Sequence, residues 1–315
     1  MKNIYLAFLI SFIISAVIMP ALIPLLKRLK FGQTIREIGP SWHKKKNGTP
    51  TMGGIAFLIS SVAAALFLDG ASAEVRLGAL TALAFGLIGF ADDFIKVVLK
   101  RNLGLTEIQK LFFQTAVTVV FLILAYRAGL IDTSLSVPFT SFEIELSWFY
   151  FVFAAFLMVG FVNAVNLTDG IDGLAASVTM VVCVFFAYFS AMKGDKILSV
   201  FPSAAAGGLF GFLFYNYNPA KVFMGDTGSL FLGGTVSVLA ILSGNELLLL
   251  LVGLIYLIEA LSVMIQVAYY KKTKKRIFLM TPIHHHFEKL GWNEKKIVTV
   301  FTLVTLICCA IAFFA

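Results

Sequence analysis

The apolar runs of this chain constrain its fold more than any other feature. Predominantly hydrophobic windows recur along its whole length, and a membrane-crossing helix needs about 20 such residues. The windows and their polar breaks predict ten spans, at 4–26, 52–68, 76–95, 111–130, 147–163, 173–192, 197–215, 229–243, 247–270 and 297–315. Composition agrees, because 59% of the residues are hydrophobic and only 13% charged, at a mean hydropathy of +0.93. Soluble domains carry about 25% charged residues, so there is too little charge here to cover a water-facing surface. A soluble enzyme, a disordered chain and a domain on one anchoring span are excluded. The first window is too long for a signal peptide and lacks a small-x-small cleavage site, so it reads as an uncleaved span. No linker composition divides the chain, which predicts a single all-α polytopic membrane domain over 1–315. Cys183, Cys308 and Cys309 sit inside apolar windows and read as packing residues.

Twenty-five Lys and Arg against seventeen Asp and Glu give a net charge of +8. In a membrane protein such an excess encodes orientation, and nucleic acid is not called for. With ten spans, every basic residue except Lys2, Arg76, Arg127, Lys193 and Lys196 falls on the side of the loops that follow odd-numbered spans. Basic loops mark the cytoplasmic side, which predicts both termini on the extracytoplasmic side. All four histidines and the aspartates Asp92, Asp93, Asp169, Asp172 and Asp226 share the basic side. The chemistry is therefore expected at the cytoplasmic membrane surface.

Five stretches on that side carry the candidate groups. Asp92-Asp93-Phe-Ile-Lys96 closes the third span. Two adjacent carboxylates in a membrane helix are costly to keep ionised without cations nearby, and Lys96 lies one turn beyond Asp92 on the same face. A metal or phosphate site explains them better than a charge cluster ending a helix. Asn163-Ala-Val-Asn166-Leu-Thr-Asp169-Gly170-Ile171-Asp172-Gly173 reads as a tight polar turn; it lacks the twelve-residue ligand series of an EF-hand. Asn216 through Ser229 contains Phe223, an aromatic face, and Asp226, a hard oxygen ligand at the start of a span. Helix capping also explains Asp226, and the two roles are compatible. In Thr281-Pro-Ile-His284-His285-His286-Phe, consecutive histidines do not share a helix face, so phosphate hydrogen bonding fits better than tetrahedral zinc. His43-Lys-Lys-Lys46-Asn-Gly-Thr-Pro-Thr51-Met-Gly-Gly54 is a basic, glycine-containing entry to the second span. Glu259 and Gln266, seven residues apart on one face of the ninth span, read as marking a break in it. Aspartates, lysines, histidines and glycine turns on one membrane face compose a Mg²⁺-type phosphoryl-transfer site. There is no Walker loop or dinucleotide fingerprint.

The chain resembles the bacterial phospho-N-acetylmuramoyl-pentapeptide transferases over essentially its whole length. The likeness is carried, in order, by Gly48-Thr-Pro-Thr-Met-Gly-Gly54, Asp92-Asp93-x-x-Lys96, Asn163 through Gly173, Phe223-Met-Gly-Asp-Thr-Gly-Ser229 and Thr281 through Phe287. The aspartate motifs are shared with the wider polyprenyl-phosphate N-acetylhexosamine-1-phosphate transferases; the triple histidine and Pro-Thr-Met-Gly-Gly point to the muramoyl-pentapeptide branch. The resemblance implies ten transmembrane helices, a bacterial plasma (inner) membrane location, a cytoplasmic site and a homodimer. It also implies transfer of phospho-MurNAc-pentapeptide from UDP-MurNAc-pentapeptide to undecaprenyl phosphate in the lipid bilayer, with Mg²⁺, giving lipid I and UMP. By position, it makes Asp226 the Mg²⁺ ligand, Asp92 and Asp93 the catalytic pair with Asp92 the base, and Lys96 a phosphate contact. Phe223 and the Gly170, Ile171, Asp172 stretch would hold the uracil. Lys46, Thr51, Asn163, Asn166, Asp169, Asn216, Gln266, His284 and His286 match further substrate positions, and His285 a catalytic one. A GlcNAc-1-phosphate transferase would lack the Thr-Pro-Ile-His-His-His stretch. A secondary transporter would show paired half-repeats, which this sequence does not.

Overall fold

The computed structural model describes residues 2–29, 46, 48–98, 104–194 and 198–315. His43, Lys44, Lys45 and Asn47 of the basic entry motif lie outside the described residues. So do Lys30, Arg36, Lys100, Arg101 and Lys196 of the charge count, and the first residue of the seventh expected span.

Each of the ten expected windows holds a helix. They are α1 (Lys2–Arg28), α2 (Gly54–Asp69), α3 (Ala73–Val98), α4 (Glu107–Arg127), α5 (Phe149–Thr168), α6 (Leu174–Met192), α7 (Val200–Asn216), α8 (Gly225–Leu242), α9 (Glu246–Val252) with α10 (Leu254–Thr273), and α12 (Glu294–Ala312). Among the described residues, eight of these are long and apolar enough to cross a membrane: α1, α3, α4, α5, α6, α8, α10 and α12. The 16-residue α2 is apolar but shorter. The fold is an all-α polytopic membrane protein. Two elements were not expected. A small antiparallel hairpin, β1 (Ser134–Ser136) with β2 (Glu143–Glu145), fills the α4–α5 loop, and a seven-residue helix, α11 (Ile283–Lys289), carries the three histidines.

The ninth window corrects the sequence reading. It is broken at Gly253, between α9 and α10, and not at Glu259 or Gln266, which both lie in continuous helix. Gly253 lacks a side chain and loses more backbone freedom in a helix than any other residue, so the break falls there.

Helix ends are set by local chemistry. Thr106 and Gln109 form a reciprocal capping box at α4: the Gln109 N–H donates to Thr106 Oγ1 at 3.2 Å and the Thr106 N–H to Gln109 Oε1 at 2.9 Å. Asn293 caps α12 by accepting from the Lys296 N–H at 2.8 Å. α8 is the central element. It is buried along nearly its whole length and packs on α3, α5 and α2, while α1 and α2 pack on α7, and α12 on α6. At one end of the bundle Ser203 Oγ donates to the Ile4 carbonyl at 2.7 Å, and Tyr150 meets Glu246. The aspartate motifs gather at the other end.

The α3–α8 contact places them there. Gly86 and Gly89 of α3 face α8, and a Cβ at Gly89 would collide with the Asp226 carbonyl. The helices touch backbone to backbone, as small residues permit in membrane bundles. Gly89→Val is expected to separate them at a cost of about 1–3 kcal/mol or more. Gly160→Ala, with nothing within 4 Å of the added methyl, is expected to leave stability unchanged. Thermal unfolding in detergent compares the two.

Candidate active site

Asp92, Asp93 and Asp226 each present an oxygen within 4.8 Å of the others. Asp92 and Asp93 lie in the last two turns of α3, and Asp226 in the first turn of α8. Three carboxylates this close repel strongly, and the structure shows what holds them. Lys96 Nζ is paired with Asp92 and lies 3.0 Å from Asp226 Oδ2. Lys110 Nζ, from the first turn of α4, lies 2.9 Å from Asp92 Oδ2 and 2.6 Å from Asp226 Oδ2. Two ammoniums thus bridge the same two carboxylates from different helices.

Asp93 is held differently. It accepts from the Thr227 N–H at 2.9 Å, Thr227 Oγ1 at 2.7 Å and the Asp226 N–H at 3.2 Å. These N–H groups begin α8 and have no partner within their own helix, so a carboxylate from α3 caps α8 in place of a local side chain. Asn166 completes the cluster, donating to Asp226 Oδ1 at 3.0 Å and Ser229 Oγ at 2.7 Å.

Beside the cluster lies the 169–173 turn. Asp172 is buried and accepts from Lys46 Nζ at 2.6 Å, Asn218 Nδ2 at 3.2 Å and the Ala220 N–H at 2.9 Å. Glu294, at the start of α12, takes the same Lys46 Nζ at 2.7 Å and the Asp172 N–H at 3.1 Å. Asn216 is buried with both ends of its amide used, accepting from the Gly173 N–H and donating to the Val222 carbonyl. Burial, then the negative charges of Asp226, Asp93 and Asp172, push the Asp169 carboxyl well above the usual carboxylate range.

The entry motif and the Phe223 motif meet through backbone. The Gly53 N–H donates to the Phe223 carbonyl at 2.8 Å, the Gly54 N–H to Met224 at 3.1 Å, and the Phe223 N–H to Pro50 at 2.8 Å. Thr51 is thereby buried at the start of α8, and Phe223 stays half-exposed.

The histidines face three ways, as consecutive helical residues must. His284 is wholly buried against Glu259 of α10, with Nδ1 3.0 Å from Oε2. His285 Nδ1 lies 2.6 Å from Glu288 Oε2. His286 Nδ1 accepts from the Leu279 N–H at 3.1 Å. Gln266 ties down the approach to α11: its Oε1 accepts from the Ile277 and Phe278 N–H groups, and its Nε2 donates to the Phe278 carbonyl. Asn163 stands apart, exposed on α5 and donating to Gln114 of α4 at 2.8 Å.

Residues 75–244 match the glycosyl transferase family 4 profile, and residues 46–58 match phospho-N-acetylmuramoyl-pentapeptide-transferase signature 1. Proteins named phospho-N-acetylmuramoyl-pentapeptide-transferase from Staphylococcus saprophyticus and Staphylococcus carnosus are each 50% identical over 310 residues, covering 96% of this chain and 96% of their own length. One from Staphylococcus aureus is 51% identical over 295 residues, covering 92% of each chain. The chain belongs to the phospho-N-acetylmuramoyl-pentapeptide transferase family.

In this member of that transferase family, the signature segment holds Lys46 and Thr51, which reach the turn and the start of α8. Sequence reasoning missed Lys110 and Glu294. Neither lies in a distinctive motif; the usable signal was position, since both fall in the first turn of a helix on the basic side. Lys110→Ala is expected to lower turnover at least about a hundredfold, the scale of losing one charged group at a phosphoryl-transfer centre. A radiolabelled product assay checks it. Asp169 also gives a pH signature. A carboxyl with a raised folded pKa holds its proton longer in the folded state than in the unfolded one. It therefore subtracts stability as pH rises from about 4 through the folded pKa. Asp169→Asn is expected to flatten that fall in melting temperature, relative to the unmodified protein, across a pH series.

Proposed function

We propose that this protein transfers phospho-MurNAc-pentapeptide from UDP-MurNAc-pentapeptide to undecaprenyl phosphate, releasing lipid I and UMP, at the cytoplasmic face of a bacterial plasma membrane. One observation carries the reading. Asp92, Asp93, Asp226, Lys96 and Lys110 converge at the helix ends, beside the turn that this family's motifs and signature segment build. The sidedness is supported by the excess of Lys and Arg in the sequence on the side of the aspartate motifs, and by Lys46, Lys96 and Lys110 at that end of the bundle.

The donor set suits Mg²⁺, which favours hard oxygen ligands and takes few carboxylates from a protein. Three carboxylates against two ammoniums leave the cluster a formal negative charge to attract a divalent cation. Asp226, with Asp92 beside it, would hold the ion, and bound Mg²⁺ neutralises charge on the diphosphate. The chain's own residues do the rest. Lys96 and Lys110 offset the charge of the phosphates brought together at the cluster. Asp172, Lys46 and the half-exposed Phe223 border the nucleotide end. Asp93 fixes the start of α8 and so aims Asp226.

Transfer is direct. An oxygen of the lipid phosphate forms a bond to the β-phosphorus of the donor, and the bond from that phosphorus to the bridging oxygen breaks, leaving with UMP. A phosphomonoester has a second pKa near 6 and is already anionic, so it needs little activation. The aspartate oxygens, by contrast, are engaged by lysines or by the start of α8, which argues against an aspartyl-phosphate.

The test supplies radiolabelled UDP-MurNAc-pentapeptide and undecaprenyl phosphate with and without Mg²⁺. A lipid product is expected only with the metal. Asp226→Asn is expected to abolish turnover at every Mg²⁺ concentration, and near-normal turnover would remove Asp226 as the ligand. Recovery of phosphorylated protein from donor alone would overturn direct transfer.

A further inference from the structure

Glu259 and His284 form a polar contact outside the aspartate cluster and deep in the fold. Both are fully buried. Glu259 Oε2 lies 3.0 Å from His284 Nδ1 and accepts from the His284 backbone N–H at 3.4 Å. Withdrawing an acid and an imidazole from water inside a membrane helix bundle is costly, and apolar residues of similar size usually do as well for stability. The pair is also incompletely satisfied, since Glu259 Oε1 and His284 Nε2 have no hydrogen-bond partner among the described residues. Stability alone therefore does not account for it.

The direction of the ring does. His284 Nε2 lies against Gly170, where a Cβ would collide with it. Gly170 stands between Asp169 and Ile171 in the turn whose Asp172 is held by Lys46, Asn218 and the Ala220 N–H. A carboxylate at Nδ1 fixes the proton on that nitrogen and turns Nε2 outward. We propose that Glu259 is a positioning residue: by fixing the orientation and tautomer of His284, it sets the Gly170 turn against which the nucleotide of the donor rests. Both side chains are fully buried, so in this role the pair acts through the turn. Gln266, two turns along α10 from Glu259, anchors the Ile277–Phe278 backbone that leads to α11, so α10 holds both the approach to the histidine helix and the helix itself. The assignment of the nucleotide to this turn rests on the functional reading above.

The full-length protein in detergent gives the test. In Glu259→Leu the acceptor is lost; in Glu259→Gln a carbonyl oxygen remains to receive Nδ1–H. Glu259→Leu is expected to raise the KM for UDP-MurNAc-pentapeptide about tenfold or more, given that small misplacements remote from the chemistry cost up to about a hundredfold. The KM for undecaprenyl phosphate is expected to stay within twofold, and Glu259→Gln to lie close to the unmodified protein in both. Nitrogen NMR of histidine-labelled protein reads the pairing without substrate: His284 is expected as the Nδ1–H tautomer in the unmodified and Gln proteins, and as a mixture in Leu. An unchanged donor KM in Glu259→Leu, or an equal rise in both KM values, would overturn the proposal. So would an unchanged tautomer. If Glu259→Leu does not fold, Glu259→Asp, whose acceptor is drawn back by one methylene, is expected to show the same donor-selective rise, and its absence overturns the proposal equally. If the unmodified protein makes no lipid product, the functional reading fails while the NMR comparison still decides the pairing.

Discussion

Three carboxylates held within 4.8 Å at the meeting of α3 and α8 are the constraint on which the rest of the site depends. Left alone they would drive the two helices apart or take up protons. They remain together because cations approach from two directions, Lys96 from the same helix and Lys110 from α4, and because the unpaired N–H groups of α8 turn toward Asp93. The close approach at Gly89 is what lets the end of α3 reach the start of α8. Once the start of α8 is fixed, so are the residues just before it. Phe223 and Met224 pair through backbone with the 50–54 segment, and Asn166 of α5 is drawn to Asp226 and Ser229.

The same contact explains why one end of an otherwise apolar bundle carries the chemistry. Along α8 the side chains beyond the first turn are buried and almost all apolar or small; polar groups gather where the helix ends reach the interface and water can solvate what is left over. Two centres form there, the aspartate–lysine cluster and the Lys46–Asp172–Glu294 network. On the proposed function, a donor whose diphosphate follows its nucleotide would span two such centres, with the lipid phosphate meeting the first.

Much of this was legible in the sequence, and the reason is range. Hydrophobic windows report burial in lipid residue by residue, so each of the ten holds a helix. The motifs report local backbone needs, so the start of α8 falls where its residues indicate, while of the 163–173 stretch read as a turn only 169–173 is one and Asn163–Thr168 complete α5. What was not legible depends on long-range contact. Lys110 resembles any interfacial lysine until α4 packs beside α3. Glu294 looks like a first-turn acid of α12, and it is one, yet it also closes on Lys46 nearly 250 residues away. Gly253, one glycine among 25, gives no sign of breaking a helix when Gly160 and Gly233 lie in unbroken ones. The three histidines read as a unit, and the structure sends each to a different partner.

The adjacent pair Asp92-Asp93 shows the same limit at its sharpest. In sequence the two are interchangeable carboxylates. On a helix of 3.6 residues per turn they point about 100° apart, and that angle separates their surroundings completely. Asp93 turns to α8 and spends its oxygens on the first N–H groups of that helix. Asp92 turns to α4, accepts the Leu105 N–H at 2.7 Å and meets both lysines. Asp93 therefore anchors the start of α8, while Asp92, equally buried, anchors the two lysines and the chain entering α4. A motif of two acids is in physical terms two anchors to different helices, and only the packing of α3 between α8 and α4 says which carboxylate reaches which.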